Sequence, residues 1–446
     1  MASVAIRLER WPDLLSLHQE QPDQWPFLLA STATGGPLGR WSMLLAAGGE
    51  RLWLDSSGVL HGPGQGDGFL ERLESWTGSP SADRPSKQNL PFAGGWFVYL
   101  GYELAAEIEP GLALPAAPDA LPVAFAERCP GALLIDHRRN QAWIGAESAA
   151  AAEILRRQVE GFNGRWQPAD CRLAAPRPDP GERFKTGVER IRDYILDGDV
   201  FQVNLSRGWK APSRDPVSAE DLFAALASAN PAPFAGLARL PGGTIISSSP
   251  ERLVEIDGRF VQTRPIAGTR PRGDSLEHDQ ALSRELIANL KERAEHIMLI
   301  DLERNDLGRV CQPGSVEVDE LMVIESYAHV HHIVSNVRGQ LRPGVHASDV
   351  LAAVFPGGTI TGCPKVRCME IIAELEGAGR SFYTGSMGYL GDNGRLDMNI
   401  LIRTLLLDDT GLSFRTGAGI VADSRPEAEL AETEAKAAGL LKAFRQ

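Results

Sequence analysis

The chain has 446 residues, of which 43% are hydrophobic and 23% charged, and its formal net charge is −13. This length allows large buried cores and predicts two or three globular domains. The negative charge argues against sequence-independent binding to nucleic acid or to an anionic membrane, because both need a basic surface, and we expect neither partner.

In the N-terminal part, residues 1–171, short strand-like runs alternate with turn residues. These runs occupy residues 40–47, 51–62, 94–105 and 131–146. A helical pattern follows at 148–162, so this part is predicted to form strands with a few helices packed on them. Residues 172–183 are rich in proline and charge and predict a linker.

The remaining part, residues 184–446, mixes strands with amphipathic helices. Phe184, Val188 and Ile191 recur at helical spacing, and a strand-like run follows at 199–209. The sequence does not show the regular alternation of strands and helices that would indicate a parallel sheet. We therefore predict an α+β protein with mostly antiparallel β-sheets flanked by helices.

The loop PGGTITGCPK, residues 356–365, resembles a phosphate-binding loop but lacks the Gly-Lys-Ser/Thr sequence that nucleotide binding requires. Val366, Met369, Ile372 and Leu375 follow at helical spacing, and we predict that they share one face of a helix. A glycine-rich loop before a helix N-terminus favours a small anion, and an ordinary capped loop is the alternative.

Two Glu-x-x-Glu pairs occur in the second part of the chain, Glu292 with Glu295 and Glu429 with Glu432. Residues three apart lie on one face of a helix, so each pair can present two carboxylates to one point. Four carboxylates from two helices suit Mg²⁺, which prefers oxygen ligands. The alternative is that each pair lies on a solvated helix face.

Other residues point to an anionic ligand. Arg403 lies in an apolar run and needs an anionic partner, which is either a carboxylate ligand or a structural salt bridge. Gly417 and Gly419 form either an anion-binding turn or a simple turn.

Alternation along a strand would send His331 and His332 to opposite faces, which favours one histidine as proton donor or hydrogen-bond partner over a zinc site.

The five cysteines form no Cys-x-x-Cys pair, and their odd number predicts free thiols in a reducing compartment. Arg7, Glu9 and Arg10 stand where a secretory signal needs an apolar core, and no apolar run is long enough to span a bilayer. We therefore expect a cytoplasmic protein.

Four segments, at residues 247–273, 293–310, 355–376 and 417–437, resemble the chorismate-utilising enzymes in order and spacing. This family contains anthranilate, aminodeoxychorismate, isochorismate and salicylate synthases. The resemblance is close from Phe184 to the end and loose before it. It implies an anthranilate synthase component I-like fold, with an N-terminal domain at 1–171 and a chorismate-binding catalytic domain at 184–446.

The resemblance also implies roles for individual residues. The four glutamates would hold Mg²⁺ together with the ring carboxylate of chorismate. Glu251 would protonate the departing C4 hydroxyl. The residues expected to line the catalytic site beside it are His332, Thr359 and Lys436. The residues expected to bind the substrate are Gln202, Ala267, Gly358, Thr359, Tyr383, Arg403, Gly417, Ala418 and Gly419, with Tyr383, Arg403 and the backbone at 417–419 on the enolpyruvyl carboxylate.

The nucleophile is expected to be ammonia. Isochorismate and salicylate synthases carry a water-activating lysine at the position of Gln202, and an amide cannot act as a base. The sequence contains no Gly-x-Cys-x-Gly nucleophile elbow, so ammonia is expected to come from a separate glutaminase subunit or from solution.

Residues 380–390 and 397–405 resemble the aminodeoxychorismate branch of the family, which predicts amination at C4 for 4-aminobenzoate and folate biosynthesis. Ala267 departs from this branch, because well-studied members carry a lysine there and anthranilate synthases carry alanine. Anthranilate formation is the alternative, and a catalytically silent chorismate-binding protein is a second one. Residues 25–32 resemble the region where anthranilate synthases bind tryptophan, although Ala30 departs from the usual pattern.

Overall fold

The computed structural model of the protein describes residues 3–33, 36, 38–78, 90–171, 174–212, 217–327 and 330–444. Within these residues the chain forms strands β1 (Val4–Leu8), β2 (Phe27–Ala30), β3 (Trp41–Leu45), β4 (Arg51–Leu54), β5 (Leu60–His61), β6 (Gly95–Leu100), β7 (Ala124–Cys129), β8 (Gly131–Asp136), β9 (Gln141–Ala146), β10 (Arg177–Pro178), β11 (Gln202–Ala211), β12 (Phe234–Leu240), β13 (Gly243–Ser249), β14 (Arg252–Asp257), β15 (Phe260–Thr263), β16 (Ile266–Pro271), β17 (Glu317–Ser326), β18 (Val330–Gln340), β19 (Gly362–Cys363), β20 (Ser386–Gly391), β21 (Leu396–Asn399), β22 (Thr404–Asp408) and β23 (Gly411–Ile420). The α-helices of the same residues are α1 (Leu14–Glu20), α2 (Phe69–Thr77), α3 (Ala105–Ile108), α4 (Ala149–Gly161), α5 (Gly181–Leu196), α6 (Ala219–Ala229), α7 (Leu276–Ala288), α8 (Leu290–Gly308), α9 (Ala347–Val354), α10 (Lys365–Glu376) and α11 (Pro426–Leu441).

The strands form two large antiparallel sheets. The first sheet has the order β1-β9-β8-β3-β2-β12-β13-β22-β23-β11-β10, with β19 also paired to β11. The second sheet has the order β16-β18-β15-β14-β21-β20-β6-β7-β4-β5, with β17 also paired to β18. These sheets and their flanking helices confirm the predicted α+β class.

Both sheets combine strands from the two sides of residues 172–183. In the first sheet β2 pairs with β12, and in the second β6 pairs with β20. Within the segment predicted as a linker, β10 pairs with β11 and α5 begins at Gly181. The division into an N-terminal and a catalytic domain stays a prediction, and the two parts of the chain share their sheets.

An aromatic core lies between the two sheets. Phe27 of the first sheet stacks on Phe97 of the second with ring centroids 3.9 Å apart, and Phe125 packs beside them. All three rings are buried. Burying such a side chain contributes roughly 1.5–3 kcal/mol, so this core holds the sheets face to face.

The helices cover the outer faces of the sheets. Helices α1, α4, α6 and α11 pack on the first sheet, and α2, α8 and α9 pack on the second. Helices α5 and α10 pack on β11 and β23 at one end of the first sheet. Among the described residues, no helix combines the length and apolar character needed to cross a membrane.

Candidate active site

Strands β11 and β23 form one wall of the site. Gln202, Asn204 and Ser206 alternate along β11 and therefore share one face. Asn204 lies opposite Gly419, and Ser206 lies opposite Gly417. A Cβ atom at position 419 would stand 2.5 Å from the Gln202 amide nitrogen, and one at 417 would stand 2.8 Å from Asn204 Oδ1. The two glycines leave the space that the polar side chains occupy.

Several polar groups on this wall are available to a ligand. Within the described residues, Gln202 Oε1 and Asn204 Oδ1 are buried without a hydrogen-bond partner. The Tyr383 hydroxyl lies 2.8 Å from the position of a Cβ at Gly417, and burial raises the pKa of Tyr383 to about 12. The tyrosine therefore keeps its proton, and the wall offers one hydroxyl and two amide oxygens.

Ala418 lies between the two glycines, and its side chain packs into the apolar cluster with α5 and α10. Only the backbone of Ala418 can therefore face the polar wall. Lys436 of α11 donates to the carbonyl oxygen of Gly417 at 2.8 Å and pairs with Glu432 at 2.8 Å. This lysine therefore connects strand β23, which carries the two glycines, to one of the predicted metal ligands.

Glu251 lies between β13 and β14 and is 5% exposed. Burial raises the pKa of this carboxyl to about 7, against the opposing effects of the Thr359 hydroxyl, the Ile266 amide and Arg403. Its Oε1 and Thr359 Oγ1 are both buried without a hydrogen-bond partner in the described part of the chain. Glu251 can therefore exist protonated near neutral pH and can donate its proton to a ligand.

Arg403 precedes β22 and has a left-handed backbone, with φ of 51°. A left-handed conformation is uncommon for a residue with a large side chain and marks a site constrained by its surroundings. Burial lowers the pKa of its guanidinium, and the nearby Glu251 opposes this effect. The sequence prediction of an anionic partner for Arg403 is consistent with these surroundings.

His332 is 2% exposed, and its Nδ1 lies 2.8 Å from the Thr269 hydroxyl. Burial, reinforced by the charge of Arg403, lowers the pKa of His332 to about 3. The ring is therefore neutral at working pH and acts as a hydrogen-bond partner. His331 pairs instead with Asp279 at 2.9 Å.

The glycine-rich loop forms a short 3-10 helix at Gly358–Ile360 before β19 and α10. A Cβ at Gly358 would stand 2.3 Å from a methyl carbon of Leu302, so a larger residue there would displace the Leu302 side chain of α8. Lys365, the last residue of the quoted loop, pairs with Asp306 of α8 at 2.6 Å and donates to the Val354 carbonyl. This lysine is engaged in the protein interior.

The predicted metal ligands lie at the start of two helices. Asn289 caps α8 by accepting hydrogen bonds from the backbone amides of Lys291 and Glu292, which fixes the first turn that carries Glu292, and Glu295 follows in the second turn. Pro426 begins α11, which carries Glu429 and Glu432.

The two glutamate pairs influence each other electrostatically. Burial raises the pKa of Glu295, and Asp423, Glu292 and Glu429 raise it further. Burial and Glu432 raise the pKa of Glu429. Among the described residues, however, no three acidic, histidine or cysteine side chains gather closely enough to hold a metal ion.

Basic side chains neutralise part of this acidic cluster. Arg270 pairs with Glu292 at 2.7 Å, and Lys291 pairs with Asp423 at 2.9 Å. Glu292 Oε2 is buried without a partner in the described residues. A free carboxylate oxygen beside mutually repelling carboxylates fits a divalent cation, so the donor set is chemically suitable for Mg²⁺.

Ala267 lies in β16 opposite Ile333 of β18, directly after Ile266, whose backbone amide acts on the Glu251 carboxyl. It provides no titratable group at this edge of the site.

Sequence reasoning missed Asn204, although its two-residue spacing from Gln202 was a usable signal. It also missed Arg380, whose (i, i+4) spacing from Glu376 is equally typical of a surface ion pair.

A separate cavity of about 380 Å³ lies between the sheets. Its lining includes Ala30, Met43, Phe234 and Met387, together with polar groups of β14 and β21, and it contains none of the predicted chorismate-binding residues. Ala30 belongs to the segment that resembles the tryptophan-binding region of anthranilate synthases.

Comparison with known proteins agrees with this architecture. Residues 59–442 match the family of chorismate binding enzymes. The chain is 43% identical over 412 residues to the anthranilate synthase component I-like protein of Synechocystis, covering 91% of this chain and 83% of that protein. It is 43% identical over 372 residues to aminodeoxychorismate synthase component 1 of Bacillus subtilis, covering 79% and 77%.

Among solved structures, anthranilate synthase component I from Streptococcus pneumoniae superposes with a TM-score of 0.81 at 31% identity. The superposition covers 90% of this chain and 92% of that one. The sequence prediction of an anthranilate synthase component I-like fold is confirmed. The chain belongs to the chorismate-binding enzyme family.

Proposed function

We propose that the protein aminates chorismate with ammonia and forms 4-amino-4-deoxychorismate. The observation that carries the amination is the presence of a buried acid, Glu251, together with a neutral amide, Gln202, at the position expected for activation of the nucleophile. An amide cannot remove a proton from water, whereas unprotonated ammonia needs no base before it attacks.

Chorismate is a dicarboxylate, and the site supplies groups for both ends. Arg403, the Tyr383 hydroxyl and the backbone of residues 417–419 are proposed to bind the enolpyruvyl carboxylate. Gly358 and Thr359 would approach the substrate from the glycine-rich loop. His332 stays neutral and would orient the substrate by hydrogen bonding.

Glu251 is proposed to protonate the C4 hydroxyl as it leaves. Its pKa of about 7 keeps a large fraction of the carboxyl protonated at neutral pH. Removal of the hydroxyl as water avoids expulsion of hydroxide, which is a poor leaving group. Thr359 lies near the same carboxyl.

Enzymes of this family commonly use Mg²⁺. Glu292, Glu295, Glu429 and Glu432 are the residues that would hold it here, and Lys436 would join this cluster to the substrate-binding glycines. When bound, Mg²⁺ would neutralise the ring carboxylate and withdraw electron density from the ring.

Ammonia is proposed to come from a separate glutaminase subunit. The purified chain should use ammonium, more efficiently as pH rises and NH₃ becomes available. It should use glutamine only after a glutaminase subunit is added. Glutamine-dependent turnover by the purified chain alone would contradict this assignment.

The position of amination rests on the likeness of residues 380–390 and 397–405 to the aminodeoxychorismate branch. Anthranilate synthesis is the second candidate, and Ala267 favours it because alanine is the residue of anthranilate synthases. Without an amine at position 267, no adduct between that side chain and the ring can form, so ammonia would attack directly.

Product analysis tests the proposal. Purified protein would be incubated with chorismate, Mg²⁺ and ammonium, and the products separated by chromatography and identified by mass. We expect a product that retains its enolpyruvyl group and releases pyruvate only when a separate lyase is added. Fluorescent anthranilate with stoichiometric pyruvate would support the second candidate, and chorismate binding without turnover would indicate a silent protein.

A further inference from the structure

Arg380 is almost completely enclosed, with an exposed fraction of 1%. It forms a bidentate ion pair with Glu376, with Nη2 2.6 Å from Oε1 and Nε 3.1 Å from Oε2. Its guanidinium lies against the rings of Tyr102 and Tyr383, 5.0 and 5.6 Å from their centroids. A charge buried this deeply is costly unless all its donors are used.

The remaining donors of Arg380 reach two other segments of the chain. Nη1 donates to the carbonyl oxygen of Ile360 in the glycine-rich loop at 3.1 Å. Nη2 donates to the carbonyl oxygen of Asn204 in β11 at 2.7 Å. The backbone N–H of Asn204 in turn donates to the carbonyl oxygen of Thr361 at 2.9 Å. The loop and the strand are therefore joined both directly and through Arg380.

Three of the segments that Arg380 touches carry a group proposed to bind chorismate. Ile360 follows Thr359 directly, Asn204 lies two residues from Gln202, and Tyr383 contributes its own hydroxyl. The Asn204 side chain and the Tyr383 hydroxyl both approach within 2.8 Å of the position of a Cβ at Gly417. One planar guanidinium therefore contacts the glycine-rich loop, strand β11 and the ring of Tyr383 at the same time.

We infer that Arg380 is a positioning residue that aligns the glycine-rich loop, strand β11 and Tyr383 for binding of the chorismate carboxylate. This inference rests on the proposed function. Arg380 acts through these neighbours and has no contact with the ligand assigned to it. Lysine cannot replace it fully, because an ammonium group lacks the planar fork that reaches Glu376, Ile360 and Asn204 together.

Arg415 provides a matched control. It pairs with the same carboxylate, Glu376 Oε2, at 2.7 Å and donates to the Ser206 hydroxyl at 3.1 Å. Among the described residues it forms no hydrogen bond to the glycine-rich loop or to Asn204. Substitution of either arginine weakens the same buried cluster, but only substitution of Arg380 releases the loop.

The test compares Arg380→Lys and Arg380→Met with Arg415→Lys and Arg415→Met. Chorismate affinity would be measured by calorimetry, KM and kcat with ammonium, and exchange of backbone amides at residues 357–363 by hydrogen–deuterium mass spectrometry. We expect the Arg380 variants to lose about ten- to hundredfold in chorismate affinity and to exchange faster in the loop. The Arg415 variants should stay within about threefold in affinity and keep wild-type exchange in the loop.

Arg380→Lys keeps the positive charge beside Glu376 and covers the case in which Arg380→Met fails to fold. An Arg380→Lys protein with wild-type affinity and loop exchange would overturn the inference, and so would an equal loss of affinity in Arg415→Lys. If the wild-type protein bound no chorismate, the proposed function itself would fail. If it bound and converted chorismate while Arg380→Lys behaved normally, only the positioning role would fail.

Discussion

Replacement of Gly417 by alanine should damage the site selectively. The added Cβ would meet Asn204 Oδ1, the Leu205 carbonyl oxygen and the Tyr383 hydroxyl, each at 2.8 Å. One of these three is backbone in a paired strand and cannot move freely. The substitution therefore forces either a shift of β23 against β11 or a displacement of the two side chains.

The cost can be estimated from these contacts. Overpacking a rigid site typically costs about 1–3 kcal/mol. Replacing glycine in a strand recovers roughly 0.5–1 kcal/mol. The expected net loss is about 0.5–2 kcal/mol, which corresponds to about a two- to thirtyfold weaker affinity for chorismate if the strain falls on the binding groups.

Two other glycines provide controls. At Gly419 the three atoms nearest to the added Cβ all belong to the Gln202 side chain, whose amide nitrogen lies 2.5 Å away and can rotate aside. Gly419→Ala should therefore keep its stability while turnover with ammonium changes. Gly439 in α11 has no atom within 4 Å of the added Cβ, and Gly439→Ala should stabilise the helix by up to about 1 kcal/mol.

Urea unfolding would give the stability of the three variants, and calorimetric titration with chorismate would give their affinities. Equal stability and equal affinity for Gly417→Ala and the wild-type protein would refute the reasoning. It would mean that β11 and β23 separate easily and that the glycine is not needed for the geometry of the wall.

Three further outcomes are expected. At constant free NH₃, kcat should fall above pH 7, because Glu251 loses its proton there, and Glu251→Gln should remove this dependence together with most activity; an unchanged profile would exclude Glu251 as the acid. Glu432→Gln should weaken Mg²⁺ affinity by about ten- to hundredfold in a metal titration with little change in stability; wild-type Mg²⁺ affinity would remove Glu432 from the metal shell. Lys365→Met should lower the unfolding free energy by about 3–5 kcal/mol, because it leaves Asp306 buried without its partner. This last loss should grow as pH rises and the buried carboxyls ionise, and a pH-independent loss in urea unfolding would contradict the pairing.

Local patterns predicted much of the fold. Strand-like runs at 40–47 and 131–146 became β3, β8 and β9, and the run at 199–209 contains most of β11. Alternation predicted opposite faces of a strand for His331 and His332, and their rings contact different residues, Asp279 and Thr269. These features depend on neighbouring residues along one element, which a periodic pattern records directly.

Features that depend on residues far apart in the sequence could not be predicted from these local patterns. The pairing of β2 with β12 joins strands about two hundred residues apart, and no local period encodes it. The helix after the glycine-rich loop was predicted, but Val366, placed on its shared apolar face, is 40% exposed because α10 packs on β11 through Cys368, Ile371 and Ile372. The predicted face was displaced because burial depends on where the neighbouring strand lies.

The charge of the whole chain was also a poor guide to the field inside the site. A net charge of −13 would repel a dicarboxylate at long range, but salt screens such repulsion beyond roughly 10 Å. Closer in, the guanidinium of Arg403 is no longer opposed by the negative charge of Glu251 when that carboxyl is protonated. An acidic protein can therefore receive an anionic substrate, because a buried arginine acts at short range where water no longer screens it.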